Sequence, residues 1–453
     1  MYDNLPASLP ADFFFNLSKL SGSSSKQLIK CTADRTSASP STQTNIRLPI
    51  GSLLNLKSAS IWFKTSLTGT NPTVPGRYAS SFIKRISISC NNVIVQQIED
   101  YNLIYNVMAD HNNKGLSKGI GGEFLDNSII WGEGASTGTA QTGLTAQKSL
   151  LDAVTNQTDI QMVLNNFIGL LGSSSTSLIA TDKMGELVIS IFWSSPYECL
   201  GGTASATTVS YTDNSYSIDD IYMTIEALSF SDDSYYNSIN SKDLMYKFDD
   251  YTVVKFAETT KASSINVTTY LNANSIDWIF ASAIRAQTQP KPMVAYGSLG
   301  GGDGTTDKVV STYEYLSDPV AYVNNKDVTT HGDGFFNTEY MVRDLQGIES
   351  CQISINNKAL NYAPLNKYEI FQNNLCALGY ENVDASANGL INTCVSIFHY
   401  FKYYGGVFQS LSIIDKDNFY ISGLSSAGSS CAVNVNIKFT SNATYPITPV
   451  IIA

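Results

Sequence analysis

The most distinctive pattern of apolar and polar positions occurs twice, at residues 86–108 and again at residues 353–375. In each copy, alternating apolar residues lead into an Asn-Asn pair, and a second extended run follows. The pairs are Asn91-Asn92 and Asn356-Asn357. Alternation with a period of two predicts strands, and paired asparagines tolerate the positive φ angles of a tight hairpin turn. The sequence therefore predicts one β-rich unit that is used twice in tandem.

Each predicted hairpin is followed by a short amphipathic helix. Asp100 and Asn366 are the predicted N-caps, and Glu369 lies three residues after Asn366, which is the spacing of a capping box. The predicted apolar faces are Leu103, Ile104, Val107 and Met108 in the first helix and Ile370, Phe371, Leu375 and Leu378 in the second. We therefore expect both helices to pack on the core of their own unit.

Short apolar runs continue through both halves and predict about eight strands in each. The predicted strands are residues 27–31, 44–48, 54–64, 83–89, 93–97, 186–193 and 221–230, then 251–256, 264–271, 276–284, 395–401, 408–413, 419–421 and 433–439. A second match relates Leu54-Asn55, Ser58 and Phe63 to Leu271-Asn272, Ser275 and Phe280 at constant offset, with Trp62 and Trp278 one position apart. The predicted fold is all-β, with two tandem eight-stranded jelly rolls, short helices and long loop insertions.

The predicted domain boundaries are an N-terminal segment at 1–24, a first jelly roll at 25–236 and a second at 245–453. Two long polar stretches, at about 110–183 and 286–346, read as loops, and residues 159–171 inside the first have helical spacing. Loops of this length are typical of functional or contact-forming segments. The aromatic triplet Phe13-Phe14-Phe15 fits either an anchor to a neighbouring subunit or membrane, or a segment packed on its own domain.

Composition and charge narrow the function classes. The chain has 453 residues, a net charge of −11 and only 15% charged residues, which argues against nucleic acid as the main ligand. The first 35 residues contain no arginine-rich arm. The seven cysteines are scattered without CxxC spacing, which argues against a zinc ribbon or a disulfide framework. Because the N-terminus lacks a basic region and no long apolar run exists, we expect neither a signal peptide nor a membrane span.

Candidate chemistry is sparse, and we predict no catalytic, cofactor-binding or metal-binding residues and no enzymatic activity. His111, His331 and His399 lie far apart in the sequence, and the stretch Gly300–Lys308 lacks the Walker spacing of a phosphate-binding loop. Asp213, Asp219 and Asp220 do not have the spacing of an EF-hand, and a solvated turn explains them. Trp62, Trp131, Trp193 and Trp278 suggest a sugar-binding platform, but three of them fall in strand patterns typical of a core.

The order of features resembles the double jelly-roll major capsid proteins of virophages, Polinton-like viruses and related DNA viruses of the adenovirus-hexon-like lineage. The resemblance covers roughly residues 25–440 and rests on order and pattern. It is carried by Arg85–Met108, Leu187–Phe192, Tyr216–Met223, Tyr251, Trp278–Phe280, Ile355–Lys358 and Phe419–Leu424. The resemblance implies two upright barrels per chain and homotrimers that look hexagonal, because three chains supply six similar corners.

The resemblance also implies a location in the virion capsid, with assembly inside the host cell. The expected partners are neighbouring capsomers, minor capsid proteins and penton proteins, and an internal membrane through the N-terminal segment is an open alternative. No cofactor and no direct sequence-specific binding of nucleic acid are expected. The alternative function is a secreted or surface β-sandwich adhesin or carbohydrate-binding protein, which the missing signal peptide and the duplication disfavour.

Overall fold

The structure is a computed structural model. It describes residues 24–68, 73–75, 79–111, 158–173, 178–203, 215–230, 246–259, 263–285, 293–295, 334–336, 345, 348–377, 405–411, 423–426, 430–440 and 447–453. The predictions for residues 1–23, for the connector at 231–245, for the strands at 395–401 and 419–421, and for the glycine-rich stretch at 300–308 lie outside these residues.

The first half of the chain is built from antiparallel strands. They are β1 (Ser24–Thr32), β2 (Gln43–Arg47), β3 (Leu53–Thr68), β4 (Thr73–Pro75), β5 (Ile83–Cys90), β6 (Val93–Glu99), β7 (Ile160–Leu164), β8 (Leu178–Ala180), β9 (Leu187–Trp193), β10 (Leu200–Thr203) and β11 (Ser215–Phe230). The helices are a 3₁₀ turn (Ala79–Phe82), α1 (Tyr101–His111), α2 (Leu170–Ser173), α3 (Thr181–Met184) and α4 (Pro196–Cys199). Two main sheets result, in the orders β1-β11-β3-β7 and β2-β9-β5-β6.

The second half repeats this architecture. Its strands are β12 (Val253–Lys255), β13 (Ser264–Leu271), β14 (Trp278–Arg285), β15 (Met293–Ala295), β16 (Gly334–Phe336), β17 (Ile348–Ile355), β18 (Lys358–Ala359), β19 (Leu365–Asn366), β20 (Val407–Ser410), β21 (Cys431–Phe439) and β22 (Ile447–Ile452), and its helix is α5 (Lys367–Ala377). The two main sheets have the orders β12-β22-β14-β20 and β13-β21-β17-β18.

The strand order is the same in both halves. If the eight main strands of each half are numbered in chain order, the two sheets read 1-8-3-6 and 2-7-4-5 in both cases. This antiparallel arrangement is the topology of a jelly roll, in which two Greek keys form two facing sheets. The predicted pair of eight-stranded jelly rolls is therefore confirmed, and we call the two units barrel 1 and barrel 2.

The two predicted hairpins are equivalent down to individual hydrogen bonds. All four turn asparagines have positive φ, at 47° and 65° for Asn91-Asn92 and at 50° and 64° for Asn356-Asn357. The first asparagine of each pair also binds the backbone where an equivalent strand begins. Its side chain accepts a hydrogen bond from Glu186 N beside β9 in barrel 1 and from Ala432 N of β21 in barrel 2. The local sequence thus sets both the turn and its attachment to the sheet.

The turn gives a first testable prediction. Asn92→Val is expected to lower the free energy of unfolding by about 1–2 kcal/mol, because a β-branched side chain is strained in the left-handed region. Asn92→Gly is the matched control and should be close to neutral, since glycine adopts this φ without strain. Urea denaturation of the two variants measures the difference. Equal stability of the valine and glycine variants would contradict the assignment of this turn.

The two helix starts differ. At α5 the predicted capping box is confirmed, since Asn366 Oδ1 accepts bonds from Tyr368 N and Glu369 N, and Glu369 Oε2 accepts one from Asn366 N at 2.8 Å. At α1, Asp100 lies at the predicted N-cap position, and its backbone carbonyl accepts the bonds of Leu103 N and Ile104 N. Its carboxylate, however, binds the side chains of Lys84 and Lys255.

The prediction of a helix at 159–171 was wrong. Residues Ile160–Leu164 form strand β7, which pairs with β3, and only Leu170–Ser173 are helical. The short apolar run fits the periodicity of a helix as well as that of a strand. It forms a strand because pairing with the free edge of β3 satisfies the backbone hydrogen-bonding groups. The polar loop at 286–346 likewise contains β15 and β16, which form a small sheet with β10 and β4 from barrel 1.

Candidate functional site: the barrel junction

The hydrophobic core of barrel 1 extends across the junction onto barrel 2. The interior of barrel 1 is continuous with apolar residues on the outer face of the β12-β22-β14-β20 sheet of barrel 2, which we call the sheet side of that barrel. The buried residues on this side are Tyr251, Phe280, Ile284, Phe408, Val450 and Ile452. Barrel 2 also has its own interior, to which the intervening residues Ile279, Ala281 and Ala283 of β14 belong. Strand β14 is therefore buried on both faces.

Burial on both faces explains why the sequence of β14 does not alternate between apolar and polar residues. Residues 279–284 are all buried, and they read as an unbroken run of apolar and small residues without alternation. Strand β3 of barrel 1, by contrast, alternates between buried and half-buried positions along its length. The match of Phe63 with Phe280 is therefore offset by one residue, because Phe63 packs in the interior of barrel 1 whereas Phe280 faces out of its barrel into the junction. Leu54 lies within β3, whereas Leu271, which it matches in the sequence, is the last residue of β13. These two residues therefore do not occupy equivalent positions in the two barrels.

Aromatic rings fill the middle of the junction. The ring centroids of Phe280 and Phe408 are 4.5 Å apart, and Trp278 lies 5.6 Å from Phe408 and 6.1 Å from Tyr251. The backbone of Gly406 lies against the Phe280 ring so closely that a Cβ atom there would be 1.8 Å from a ring carbon. The side-chain amide of Asn374 on α5 binds Gly406 O and Phe408 N, which fixes β20 beside these rings.

Barrel 1 contributes helix α1 and the neighbouring end of β6, which we call its helix side. Residues 101–107 of α1 are all buried, whichever way they point around the helix. Leu103, Ile104 and Val107 pack in the core, as the sequence predicts, and Met108 is half-buried against it. Burial raises the pKa of Tyr101 well above its usual range, with a smaller contribution from Tyr105, and its hydroxyl accepts a bond from Ile168 N. A helix buried on every side lies between two packed bodies.

A cluster of four charged side chains crosses the junction. Asp100 binds Lys84 of barrel 1 at 2.6 Å and Lys255 of β12 in barrel 2 at 3.0 Å, and Lys84 also binds Glu198 of α4. Burial alone disfavours the charged form of Asp100, but Lys255 and Lys84 outweigh it and lower the pKa of this carboxyl. Burial opposes the charge on Lys84 as well, yet Glu198 and Asp100 raise its pKa. Asp100 and Lys84 therefore both keep their charge at neutral pH.

Polar contacts seat the start of barrel 2 on barrel 1. The side chain of Gln96 on β6 donates to Asp249 O at 2.9 Å and to Asp250 Oδ1 at 3.0 Å. Asp249 N donates to Ser173 Oγ, and the hydroxyl of Tyr246 accepts a bond from Ala180 N. Together with the ion cluster, these bonds fix the register of the two barrels, since a shifted interface leaves buried polar groups without partners.

Among the described residues, those that the sequence singles out for chemistry are not brought together. His331, His399, Asp213 and Trp131 lie outside the described residues, as does the side chain of His111. Asp219 and Asp220 are exposed on β11, and Asp220 pairs with Lys64 at 2.6 Å. Trp193 is fully buried, Trp278 packs at the junction, and Trp62 is half-buried and stacked on Tyr222. The three described tryptophans thus form no common exposed platform.

In the residues that the structure describes, no group of three or more His, Cys, Asp or Glu side chains is placed to hold a metal ion. In the same part of the chain, no helix is long and apolar enough to span a lipid bilayer. Among the described cysteines, Cys351 on β17 is buried and Cys90 at the end of β5 is half-buried.

Comparison with solved structures places this geometry among known folds. VP54 of the virus PBCV-1, which has been fitted into a reconstruction of the virophage Sputnik, superposes with a TM-score of 0.53 and 10% identity over 96% of this chain and 94% of that chain. The Faustovirus major capsid protein gives a TM-score of 0.50 and 10% identity, over 96% and 90%. A chain of the Sputnik virophage gives 0.50 and 12%, over 94% and 85%.

The chain is a double jelly roll. The likeness extends over 94–96% of this chain and over 85–94% of the three solved chains. No protein-family model and no curated protein matches the sequence. Because only 10–12% of the residues are identical, the likeness concerns the arrangement of the strands and not particular side chains.

Proposed function

We propose that this protein is a major capsid protein of a DNA virus, and that its function is to assemble with copies of itself into an icosahedral shell. The observation that supports this most strongly is the continuous core across the junction, which makes one rigid block of two similar barrels. Three such blocks supply six similar corners, which fit a hexagonal lattice. The similar Faustovirus chain is itself a major capsid protein.

The finer features of the proposal concern partners and location. We propose homotrimers that meet neighbouring capsomers, minor capsid proteins and penton proteins in the virion, after assembly inside the host cell. The N-terminal segment is the part proposed to meet a neighbouring subunit or an internal membrane. We also propose the domain boundaries 1–24, 25–236 and 245–453, and no catalytic, cofactor or metal site. The net charge of −11 supports assembly without nucleic acid.

Light scattering of nuclease-treated protein at low micromolar concentration tests the proposal, followed by negative-stain electron microscopy. We expect a stable trimer with a hexagonal outline and no requirement for DNA or RNA. An obligate interface of this kind typically buries more than about 2,000 Å². A stable monomer, or assembly that depends strictly on added nucleic acid, would contradict the proposed function.

The glycine-rich stretch Gly300–Gly304 gives a further prediction. Because it is rich in glycine and belongs to a stretch that the sequence predicts to be a loop, we expect its deletion to leave folding and trimer formation intact. Soluble yield and light scattering of the deletion variant provide the measurement. Loss of soluble protein on this deletion alone would mean that the stretch belongs to the core.

A further inference from the structure

Strand β13 lies at an edge of its sheet in barrel 2. It pairs with β21 over all eight of its residues in one unbroken antiparallel register, and no other described strand pairs with its opposite side. Phe439 N donates to Ser263 O at 2.9 Å. Because bonded pairs alternate along an antiparallel ladder, Ile265 and every second residue after it bond to β21, and the backbone groups of the residues between them point away from the sheet. We call this side the open edge of β13, and its residues are Ser264, Asn266, Thr268 and Tyr270.

The open edge lacks the features that protect other edge strands. The sequence of β13 contains no charged residue and no proline, whereas β1, the long edge strand of barrel 1, carries Lys26 and Lys30. Strand β2 occupies the equivalent place in barrel 1, and its edge is covered. There, Asn45 N donates to the Asp34 carboxylate, and Asn45 O accepts a bond from Asp34 N. An uncovered and uncharged edge is a template for an additional strand.

A cavity of about 610 Å³ lies where β13 ends. It is lined by Tyr270, the last residue of the open edge, and by the turn that leads from β13 to β14. Tyr270 is 71% exposed, and Tyr251 and Trp278 contribute further aromatic rings to the lining. Cavities of several hundred Å³ with aromatic lining are typical of ligand sites. The open edge of β13 therefore leads directly into a cavity that can hold a side chain of a bound segment.

The cavity is acidic. It is lined by Asp249, Asp250 and Asp277, together with one lysine, Lys247. The carboxylate of Asp277 is held in place by Ser275, whose Oγ donates to Asp277 Oδ1 at 2.9 Å. Carboxylates beside aromatic rings favour a cation, since an ammonium or guanidinium group binds the carboxylate and is attracted to the ring face. The charge of the cavity thus complements a lysine or arginine side chain.

We propose that the open edge of β13 binds an extended segment of a second protein, which adds to the sheet as a further strand and places a lysine or arginine side chain in the cavity. Main-chain hydrogen bonds to the open edge supply affinity, and the cavity selects for positive charge. The first 23 residues of this chain contain one lysine and two aspartates, so their charge does not complement the cavity. This inference goes beyond the proposed function, because it holds for a monomer as well as for a trimer.

Fluorescence anisotropy with synthetic peptides tests the contact on the full chain. The probe is a labelled peptide of alternating Thr and Val with Arg at both ends, and the matched control peptide carries Glu in place of Arg. We expect saturable binding of the Arg peptide, about tenfold or more tighter than that of the Glu peptide, because only arginine complements the cavity. Equal binding of the two peptides, or no binding of either, would overturn the inference.

Two pairs of variants locate the site. Thr268→Pro removes an N–H group of the open edge without removing a bond to β21, and it should weaken binding of the Arg peptide by about tenfold or more. Thr268→Val keeps that N–H group and should bind the peptide as the wild type does. Asp277→Asn should lower the preference for Arg over Glu by about threefold, whereas Asp219→Asn, at an exposed position on β11, should keep it. Wild-type binding by Thr268→Pro, or wild-type preference in Asp277→Asn, would contradict the proposed site.

Amide hydrogen exchange of the wild type supplies a measurement that needs no variant. The amides of Asn266, Thr268 and Tyr270 have no partner among the described residues. They should therefore exchange fast in the free protein and more slowly when the Arg peptide is bound, while exchange in β1 stays unchanged. Slow exchange at the open edge without peptide would mean that other residues of this chain, or another copy of it, already occupy the edge, and this result would rule the inference out.

Discussion

Asp100→Asn is expected to lower the free energy of unfolding at pH 7 by about 3–5 kcal/mol, the usual cost of removing one partner from a buried ion pair. Asp100 is held between Lys84 and Lys255, and its side chain is only 13% exposed. Asparagine keeps the shape of the side chain and tolerates the φ of 50° at this position, so the loss of charge is the main change. Urea denaturation measures the effect.

The pH dependence of this variant has a defined sign. The pKa of Asp100 is lowered in the folded protein, so its stabilisation is present above the pKa of an unfolded aspartate, about 3.9, and is lost as the pH falls through the folded value. The pKa of Lys84 is raised, so its stabilisation is present below about 10.4 and is lost as the pH rises through the folded value. The wild-type and Asp100→Asn curves should therefore differ most between these limits and converge in acid.

Asp220→Asn is the matched control. Asp220 also has a positive φ, 53°, and also binds a lysine at 2.6 Å, but its side chain is 59% exposed. Because water screens an exposed ion pair, little change in stability is expected. Equal losses in the two variants would mean that burial at the junction does not strengthen the contribution of Asp100.

Phe280→Ala should lower the free energy of unfolding by about 3–5 kcal/mol, because it leaves a cavity among packed rings. The ring is fully buried, 4.5 Å from Phe408 and against Gly406. Since Phe280 faces the junction, the effect should extend to barrel 1. Amide hydrogen exchange is therefore expected to become faster in α1 as well as in β14.

Ile279→Ala provides the comparison for this effect. Ile279 is the neighbouring residue on β14, is equally buried, and faces the interior of barrel 2. Its truncation should destabilise the protein by about 2–5 kcal/mol and accelerate exchange within barrel 2, with α1 remaining protected. If both variants changed α1 alike, the two faces of β14 would not belong to separate clusters.

The sequence alone determined the features that depend on neighbouring residues. Both hairpins were predictable because an Asn-Asn pair between alternating runs selects a turn with positive φ, whatever surrounds it. The capping box at Asn366 was predictable because all its partners lie within three residues. Since a hairpin with an Asn-Asn turn followed by a short helix occurs in both halves, the duplication and the class of fold followed from this pattern.

Short strands without such signals were decided by the tertiary structure. Residues 160–164 carry an apolar run that suits a helix or a strand, and pairing with β3 makes it a strand. Strand β22 near the C-terminus, which the sequence did not predict, is buried at five of its six positions. A strand that is buried on both faces shows no alternation of apolar and polar residues, because none of its positions needs to be polar.

The junction itself could not be read from the sequence. Asp100 has the residue type and position of an N-cap, yet its carboxylate binds Lys255, which is 155 residues away along the chain. Phe280 matches Phe63 in the sequence but faces the opposite way, because one residue of offset turns a strand side chain to the other face. The local sequence therefore determined that there are two barrels, whereas contacts distant in the chain decided which surfaces join them and which stay open.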